Sequence, residues 1–236
     1  MKVMYRLSDK GQPKPKLPQA TKEYCLRNAM ASFPNSEIFV FADNCEAQTI
    51  AMIESLGLKC IPITLGNSGS LRHAISYAVN QYDNNEGVYF LEDDYLHLQG
   101  SEKLMLEGLE ISDYVTLYDH PDKYADFDGK INPQVTDQGE QTILMKSDSS
   151  HWKVTNSTTM TFAVKVGTLK EDLSVWFKHT KRKVPADKRI FSHLQSTGKL
   201  KYRLFGKKRR LIVSIPGSST HCETAFLTPL TDWSKV

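Results

Sequence analysis

The chain has 236 residues, of which 40% are hydrophobic and 24% charged, with a formal charge of +3 at pH 7. This length allows a substantial core in one α/β domain, the composition excludes a disordered or fibrous protein, and so small a charge does not indicate nucleic acid as a partner. No apolar run reaches the roughly 20 residues that cross a bilayer, and Met1 leads into a mixed segment and not an apolar signal core. We therefore expect a single domain over residues 1–236, without a membrane span, in the cytoplasm.

Residues 1–118 alternate short apolar runs with helical stretches, which is the pattern of a parallel sheet with crossover helices. The predicted strands lie at 3–7, 38–42, 58–63, 88–91 and 114–117. The predicted helices lie at 21–33, where Thr21 is the N-cap, at 47–56, where Gly57 ends the helix, and at 70–82. Since open parallel sheets bind ligands at the carboxyl ends of their strands, this half is expected to bind a nucleotide.

The pattern changes in the second half, residues 119–236. A polar stretch at 121–139 predicts a long loop, and alternating stretches at 142–146, 152–155 and 159–164 predict antiparallel strands. Helices are predicted at 169–179 and 185–197, and a late strand at 211–214. We expect this half to lie on the acceptor side of a site.

The four cysteines are scattered without a C-x-x-C pair, so they are expected to be structural thiols.

The strand at 88–91 ends abruptly in three consecutive carboxylates, Glu92, Asp93 and Asp94, which we call the acidic run. Three adjacent negative charges repel one another, so the run favours a divalent cation or several hydrogen-bond donors nearby. Magnesium and manganese favour oxygen ligands and usually bridge to phosphates. The alternatives are a solvated strand end, or acids favoured by the N-terminus of a helix that begins near Ser101.

An apolar strand that ends in Glu-Asp-Asp resembles the D-x-D motif of GT-A glycosyltransferases. Upstream, residues 67–78 resemble the glycosyltransferase family 2 pattern in which an Asn, a Gly and an Arg precede a helix that leads into that strand. The resemblance follows the chain in order from residue 1 to about residue 222 and is sharpest between Asn67 and Asp94. It implies a GT-A, Rossmann-like α/β fold with a mixed, mostly parallel sheet flanked by helices. It also implies transfer of a sugar from a nucleoside diphosphate sugar to an acceptor hydroxyl.

The resemblance makes Asp94 the direct ligand of Mn²⁺ or Mg²⁺ and places Glu92 and Asp93 against the donor. It places Asp43, at the end of the second strand, against the nucleoside, although an Asp-Asn turn explains Asp43 equally well. Arg72 fits the donor diphosphate or base, because a guanidinium offers paired donors to phosphate oxygens. A helix-surface arginine is the alternative for Arg72.

Three further segments contribute candidates through the resemblance. Arg6 and Ser8 lie at the end of the first strand, where the family places base-stacking and ribose-contacting groups. Asp187 resembles the acidic residue at the start of a helix below the acceptor, so it is the candidate base of an inverting transfer, with an aspartate favoured by the helix dipole as the alternative. His221 resembles the late histidine that several GT-A enzymes supply as a metal ligand, which favours manganese, although a lone histidine is usually structural.

Secondary features concern the acceptor side. Trp152 is preferred to Trp176 as an aromatic that stacks on a sugar, because Trp176 lies at helical spacing with apolar neighbours and is predicted to be core. Asp119 and His120 follow a strand and either approach the donor sugar or begin a loop. The basic run at 207–210 predicts a solvated sheet edge that discourages strand pairing, with an anion-binding role as the alternative.

The favoured donor is a UDP-sugar, and the acceptor is a glycan or another hydroxyl compound. One alternative is a nucleotidyltransferase, which also holds a divalent metal near phosphates but needs a glycine-rich loop near the first strand, where residues 10–14 supply only Gly11. The other alternative is a sugar- or nucleic-acid-binding module on the same fold that has no turnover. These three hypotheses differ in their products: UDP, pyrophosphate or none.

Overall fold

A computed structural model describes residues 1–11, 13–124, 140 and 142–236. The predicted loop at 121–139 lies outside the described residues from 125 onward. Its first residues, Pro121–Lys123, form a single 3-10 turn. In the part of the chain that is described, no helix combines the length and the apolar character needed to cross a bilayer.

One large sheet runs through both halves of the chain. The strands of the described residues are β1 (Lys2–Ser8), β2 (Glu37–Asp43), β3 (Lys59–Ile63), β4 (Gly87–Glu92), β5 (Tyr95–His97), β6 (Tyr114–Thr116), β7 (Leu144–Lys146), β8 (His151–Val154), β9 (Phe162–Lys165), β10 (Leu211–Ile215) and β11 (Ser219–His221). Nine of them form a sheet in the order β3-β2-β1-β4-β9-β6-β10-β8-β7, and β5 pairs with β11. Within the large sheet, only β8 and β9 run against the direction of the other described strands. The predicted mixed, mostly parallel sheet is therefore confirmed.

Helices cover both faces of this sheet. They are α1 (Lys22–Ser32), α2 (Ala47–Ser55), α3 (Gly66–Gln81), α4 (Ser101–Ile111), α5 (Val166–His179), α6 (Asp187–Leu194) and α7 (Leu200–Phe205). The side chain of Thr21 accepts a hydrogen bond from the Tyr24 backbone N–H at 3.2 Å, so the predicted N-cap of α1 is confirmed. Helix α3 begins at Gly66, four residues before the predicted start, so that Asn67 lies within the helix.

Strand alternation divides the core into two layers. In β1, Val3, Tyr5 and Leu7 face a cluster with residues of α1, α2 and α4, whereas Met4 faces a cluster with residues of α3, α5 and α6. Both faces of the central strands are buried, which explains why their sequences are almost continuously apolar. The four cysteines are free thiols, as expected.

The prediction that Trp152 stacks on an acceptor sugar is wrong, because its side chain is 0% exposed. Strand alternation turns Trp152 towards α4, where Gly108 leaves room for the indole: a Cβ at Gly108 would lie 2.9 Å from the ring. The indole N–H donates to Ser147 Oγ at 3.0 Å. Trp176 is confirmed as a core residue, stacked on Phe162 with ring centroids 4.5 Å apart.

The basic run at 207–210 does not protect a sheet edge, so that prediction is also wrong. Strand β10, which follows it, lies inside the sheet between β6 and β8. Within the run, Arg209 is tied to the body of the protein, with its Nε 3.0 Å from Asp172 Oδ2 and its Nη1 3.4 Å from Asp113 Oδ1. The short-range sequence pattern did not reveal that a strand from the second half is inserted beside β6.

Candidate functional site

The acidic run lies where the chain leaves the large sheet. Strand β4 ends at Glu92, and β5 begins at Tyr95 in the small two-stranded sheet with β11. The alternative that the run caps a helix is wrong, because β5 separates Asp94 from Ser101, the first residue of α4. The run therefore occupies the carboxyl edge of the parallel strands, the usual ligand-binding edge of such a sheet.

Arg6 neutralises the first carboxylate of the run. In the register of β1 and β4, Arg6 stands opposite Glu92, and its Nη2 lies 2.5 Å from Glu92 Oε1. Its Nη1 donates to the backbone and side-chain oxygens of Asn67 at 3.1 and 3.2 Å and to Ser70 Oγ at 3.3 Å. Burial raises the pKa of Glu92, although the charge of Arg6 opposes the rise. Arg6 is buried, with 5% of its surface exposed, and its contacts with Glu92 and Asn67 join β4 to the first turn of α3.

Asp93 lies against the end of β1. The backbone N–H of Ser8 donates to Asp93 Oδ2 at 3.1 Å. Burial and the neighbouring charge of Asp94 raise the pKa of Asp93 to about 7, and the Ser8 N–H reduces the shift. Ser8 thus contributes its backbone to the acidic run.

Asp94 has two cationic or potentially cationic neighbours. Lys16 Nζ lies 2.9 Å from Asp94 Oδ2, and His221 Nε2 lies 3.2 Å from the same oxygen. Burial alone would raise the pKa of Asp94, but the hydrogen bonds and charges of His221 and Lys16 outweigh it and hold the pKa well below its usual range. The other oxygen, Asp94 Oδ1, is buried and has no hydrogen-bond partner among the described residues.

Backbone hydrogen bonds explain how residues so distant in sequence reach Asp94. The N–H of Cys222 donates to Asp94 O at 2.8 Å, and the N–H of Leu17 donates to Cys222 O at 3.0 Å. The N–H of Thr224 donates to Pro15 O at 3.1 Å. Sequence reasoning missed Lys16, because it lies in an aperiodic polar stretch and becomes significant only through this three-segment contact.

Asp43 reaches the same edge but is engaged by the protein. It stands opposite Ser8 in the register of β1 and β2 and is 3% exposed. Its Oδ1 accepts the backbone N–H groups of Leu65 at 2.6 Å and Gly66 at 3.1 Å, as well as the side-chain amide of Asn44 at 3.0 Å. Asp43 therefore stabilises the start of α3 in this structure.

Arg72 is not brought to the acidic run. It lies about 200° around α3 from Ser70, which faces Arg6, so its side chain leaves the opposite side of the helix. Its guanidinium carbon lies 5.0 Å from the ring centroid of Phe177 on α5. The helix-surface alternative describes this position.

Asp187 reaches the site through an intermediate turn. Its carboxylate accepts the backbone N–H of Thr158 at 3.2 Å and the Thr158 hydroxyl, also at 3.2 Å. Burial raises the pKa of Asp187, and these hydrogen bonds oppose the rise. The next residue, Thr159, has a positive φ of 50° and accepts the hydroxyl of Tyr95 at 3.4 Å. Asp187 thus supports the turn that contacts β5, directly after the acidic run.

Aromatic rings surround His221. The Tyr95 ring centroid lies 5.1 Å from that of His221 and 5.4 Å from that of Tyr118. Tyr118 also packs against His120 at 5.2 Å. These tyrosines were not singled out from the sequence, because Tyr95 lies in the short strand β5, which was not predicted, and Tyr118 directly follows the predicted strand at 114–117.

Asp119 does not approach the acidic run as a free carboxylate. It is 2% exposed and its Oδ1 lies 2.8 Å from Lys153 Nζ. The Tyr124 hydroxyl donates to its other oxygen. Asp119 is thus held in a buried ion pair within the protein, which supports the alternative that it begins a loop.

A cavity that none of the residues of the acidic run lines lies elsewhere in the protein. It has a volume of about 820 Å³ and is lined by residues at the amino ends of β6 and β10, among them Ser112, Asp113 and Arg210. Asp113 is already paired with Arg209 and accepts the backbone N–H of Arg210 at 2.8 Å. We therefore place the candidate site at the acidic run, where the unpartnered carboxylate oxygen lies, and not in this cavity.

Comparison with known proteins gives a similarity of fold. No protein-family model matches the chain, and the search of curated proteins returns no match. TarS 1–349 of S. aureus is 16% identical with a TM-score of 0.45, and the match covers 90% of this chain and 58% of TarS 1–349. The galactosyltransferase LgtC, in complex with donor and acceptor sugar analogs, is 11% identical with a TM-score of 0.46, covering 96% of this chain and 88% of LgtC.

A 4-diphosphocytidyl-2C-methyl-D-erythritol synthase from Anaerococcus prevotii is 12% identical with a TM-score of 0.46, covering 98% of this chain and 91% of the synthase. At these low TM-scores the likenesses carry no argument about activity. What they share with this chain is the mixed α/β sheet flanked by helices. In that layout the chain is similar to solved glycosyltransferases.

Proposed function

We propose that this chain transfers a sugar from a nucleoside diphosphate sugar, with a UDP-sugar favoured, to the hydroxyl of a glycan or another acceptor. The observation that carries the proposal is the meeting of the acidic run with Arg6, Lys16 and His221 at the carboxyl edge of the parallel strands. A sheet edge that combines carboxylates with cationic groups suits a ligand that carries both phosphate and hydroxyl groups. The D-x-D resemblance of the run supports the same assignment.

The residues around Asp94 fit one divalent cation, Mn²⁺ or Mg²⁺. Asp94 Oδ1 is buried without a hydrogen-bond partner among the described residues, and Asp94 Oδ2 lies 3.2 Å from His221 Nε2. Adjacent ligands of an octahedral ion lie about 3 Å apart, so Asp94 and His221 would hold it together. The described residues contain no group of three His, Cys, Asp or Glu side chains that could hold a metal ion together. In magnesium and manganese sites, phosphate oxygens and water usually supply the remaining ligands. When bound, the ion would offset negative charge on the departing diphosphate.

Lys16 and the end of β1 are assigned to the donor. Lys16 Nζ is held at Asp94 by a side chain that is 31% exposed, so the ammonium can turn towards a diphosphate placed beside the run. Ser8 and Asp43 stand on neighbouring strands at the same edge, which suits the ribose and the base. Arg72 is left out of this assignment, because its guanidinium lies over Phe177.

Asp187 is the proposed base, which makes the transfer inverting. It would accept the proton of the acceptor hydroxyl as the hydroxyl oxygen bonds to the anomeric carbon and the bond to the diphosphate breaks. The raised pKa of Asp187 strengthens its carboxylate as a base. The turn that Asp187 supports, at Thr158 and Thr159, is the link between this carboxylate and β5.

The test is product analysis with a panel of nucleotide sugars and Mn²⁺. We expect release of UDP, accelerated by the right acceptor, and we expect Asp94→Asn to lower it by about a hundredfold or more. The matched control is Asp148→Asn, an exposed aspartate in the turn between β7 and β8, which should keep full activity. Full activity of the Asp94 variant in the presence of a chelator would overturn the metal assignment.

The same assay separates the rival hypotheses. Pyrophosphate from a nucleoside triphosphate and a sugar phosphate would replace the proposal by nucleotidyl transfer. Binding of a sugar or nucleic acid with no product would replace it by a non-catalytic module. The cytoplasmic location remains a prediction.

A further inference from the structure

The charge of the chain is concentrated in one part of the sequence. Residues 178–210, which we call the basic segment, contain thirteen Lys and Arg residues and one acidic residue, Asp187. The segment therefore has a formal charge of +12 within a chain of +3, so the other residues together carry −9. Twelve of the thirteen basic residues are exposed, and Arg209 is the exception. The surface of the basic segment is therefore strongly electropositive, although the net charge of the whole chain is small.

Helix α7 lies inside the basic segment and exposes apolar side chains. Tyr202 points into the protein and is 4% exposed, whereas Leu200 and Leu204 are 70% and 66% exposed. At about 100° per residue, these two leucines share the side of the helix opposite Tyr202. Phe205, the last residue of α7, is 78% exposed. Such a cluster of exposed large apolar residues marks an interaction surface.

Basic residues border this apolar face on every side. Lys201 and Arg203 project from the two flanks of the helix, Lys199 precedes it, and Lys207 and Lys208 follow it. All five are exposed. Among the described residues, the ion pairs of the basic segment are made by Arg209, so these neighbours keep their charges for an external ligand.

The outward orientation of α7 is fixed by packing. The ring of Tyr202 stacks on that of His193 of α6, with centroids 4.5 Å apart and 21° between planes. At Gly206, directly after α7, the chain passes so close to α6 that a Cβ would lie 2.6 Å from His193 O. The helix therefore cannot roll to bury its leucines without losing both contacts.

We propose that this face of α7 docks the protein on the surface of an anionic phospholipid bilayer. The docking face consists of an apolar centre and a basic border, namely Leu200, Leu204, Phe205, Lys199, Lys201 and Arg203. Apolar side chains of an interfacial helix enter the boundary between headgroups and acyl chains, while Lys and Arg attract anionic headgroups. A nucleic acid would use the charges but would leave Leu200 and Leu204 exposed, so a lipid surface fits both features. The inference goes beyond sugar transfer and does not depend on it.

Flotation of the full chain with lipid vesicles tests the proposal. We expect binding to vesicles of phosphatidylglycerol mixed with phosphatidylcholine, little binding to phosphatidylcholine alone, and weaker binding as salt rises above about 0.1 M. The triple variant Leu200→Ser, Leu204→Ser, Phe205→Ser should bind mixed vesicles at least about tenfold more weakly. Thermal unfolding of the variant should match the parent, since the three side chains are exposed.

A matched control removes the same number of exposed apolar residues outside the basic segment. Ile143, Leu144 and Leu230 are 66%, 71% and 89% exposed, and their triple serine variant should bind vesicles like the parent. The proposal is overturned if the parent does not float with anionic vesicles, or if the α7 variant floats as well as the parent. It is equally overturned if a DNA or RNA duplex, or a second copy of the chain, binds more tightly than the vesicles and displaces them.

A reporter placed at Phe205 gives a second measurement. The three tryptophans of the chain, Trp152, Trp176 and Trp233, are at most 1% exposed, so Phe205→Trp adds a single solvent-facing indole. Its emission should shift to the blue and be quenched by brominated lipid when anionic vesicles are added. A contact through the basic residues alone would leave that emission unchanged, which would contradict insertion.

Discussion

The carboxyl edge of the sheet and the basic segment both concentrate charge, but they treat it in opposite ways. At the edge, Glu92 pairs with Arg6, and Asp94 pairs with Lys16 and His221. In the basic segment, twelve of thirteen basic residues are exposed, and Arg209 makes the ion pairs. Partial burial explains the difference, because a desolvated charge needs a partner within the protein whereas a solvated one does not.

This difference determines what each region can bind. The side chains of the paired edge hold one another in a fixed geometry, so a ligand must displace some of these contacts in order to bind. This favours selective recognition of a small molecule. The unpaired segment can neutralise an extended anionic surface without breaking internal contacts, which favours a bilayer. Substitutions in each region, compared with matched controls, test this contrast.

The largest effect on stability is expected from Arg6→Met. Arg6 is 5% exposed and neutralises Glu92, so the substitution leaves a partly buried carboxylate without its partner and should lower the free energy of unfolding by about 3–5 kcal/mol. The same substitution at Arg203, an exposed residue of the basic segment, should change it by less than about 0.5 kcal/mol. Urea unfolding of both variants measures the contrast. Equal effects at the two positions would show that burial does not separate the regions.

Asp187, which supports the turn that contacts β5, predicts a pH dependence. Since the pKa of Asp187 is raised in the folded protein, the folded state binds this proton more tightly than the unfolded chain. This carboxyl therefore makes the free energy of unfolding fall as pH rises from its ordinary pKa to the raised one, while sugar transfer rises over the same window as the base ionises. Asp187→Asn should flatten both profiles and lower transfer by about 100- to 10,000-fold.

A structural role for Asp187 makes a different prediction. If the residue acts only by holding Thr158, the asparagine variant should lose thermal stability and donor affinity together. A base should leave the affinity for the donor unchanged, as measured by calorimetry, while the transfer rate falls. The two readouts therefore decide between the two roles.

The sequence predicted the features that depend on local pattern. Apolar strands, the N-cap Thr21 and the carboxylates at the end of β4 were recognisable, because each is a pattern of a few consecutive residues. Lys16 was not, because its contact with Asp94 depends on backbone pairing among three distant segments. Trp152 was misassigned, since periodicity places a residue on a face of a strand but does not reveal that Gly108 makes room for it.

The same limit explains why α7 and the short strands were missed. Helix α7 has six residues, and β5 and β11 have three each, so none is long enough to show a period. The residues just before β10 were expected at a sheet edge, because the sequence does not show that β10 lies between β6 and β8. In each case the sequence does not show which element of the fold packs beside the segment.

A smaller effect is expected when charge alone is removed from the docking face. Replacing Lys201 and Arg203 by glutamine should weaken binding to anionic vesicles by about fivefold for each charge, because each basic residue near the surface contributes a similar electrostatic attraction. The matched control is Lys103→Gln with Lys146→Gln, two exposed lysines outside the basic segment. Vesicle titrations at fixed ionic strength measure both. If the control weakens binding as much, the attraction reflects net charge and not the position of α7.

The smallest effect, and the one that best distinguishes the edge, is expected from Lys16→Met. Because the Lys16 ammonium lies on the same Asp94 oxygen as His221, it competes with a divalent cation for that carboxylate. In the absence of the donor, the Lys16 variant should bind Mn²⁺ about three- to tenfold more tightly, because the competing ion pair, which is accessible to solvent, is lost. The same variant should bind UDP more weakly, because the ammonium no longer contacts the diphosphate. Free Mn²⁺ measured by electron paramagnetic resonance and UDP binding measured by calorimetry report the two changes separately. Lys14→Met, which removes a neighbouring lysine paired with Glu223, is the control. Weaker Mn²⁺ binding in the Lys16 variant would show that Lys16 supports the cation site instead of occupying it.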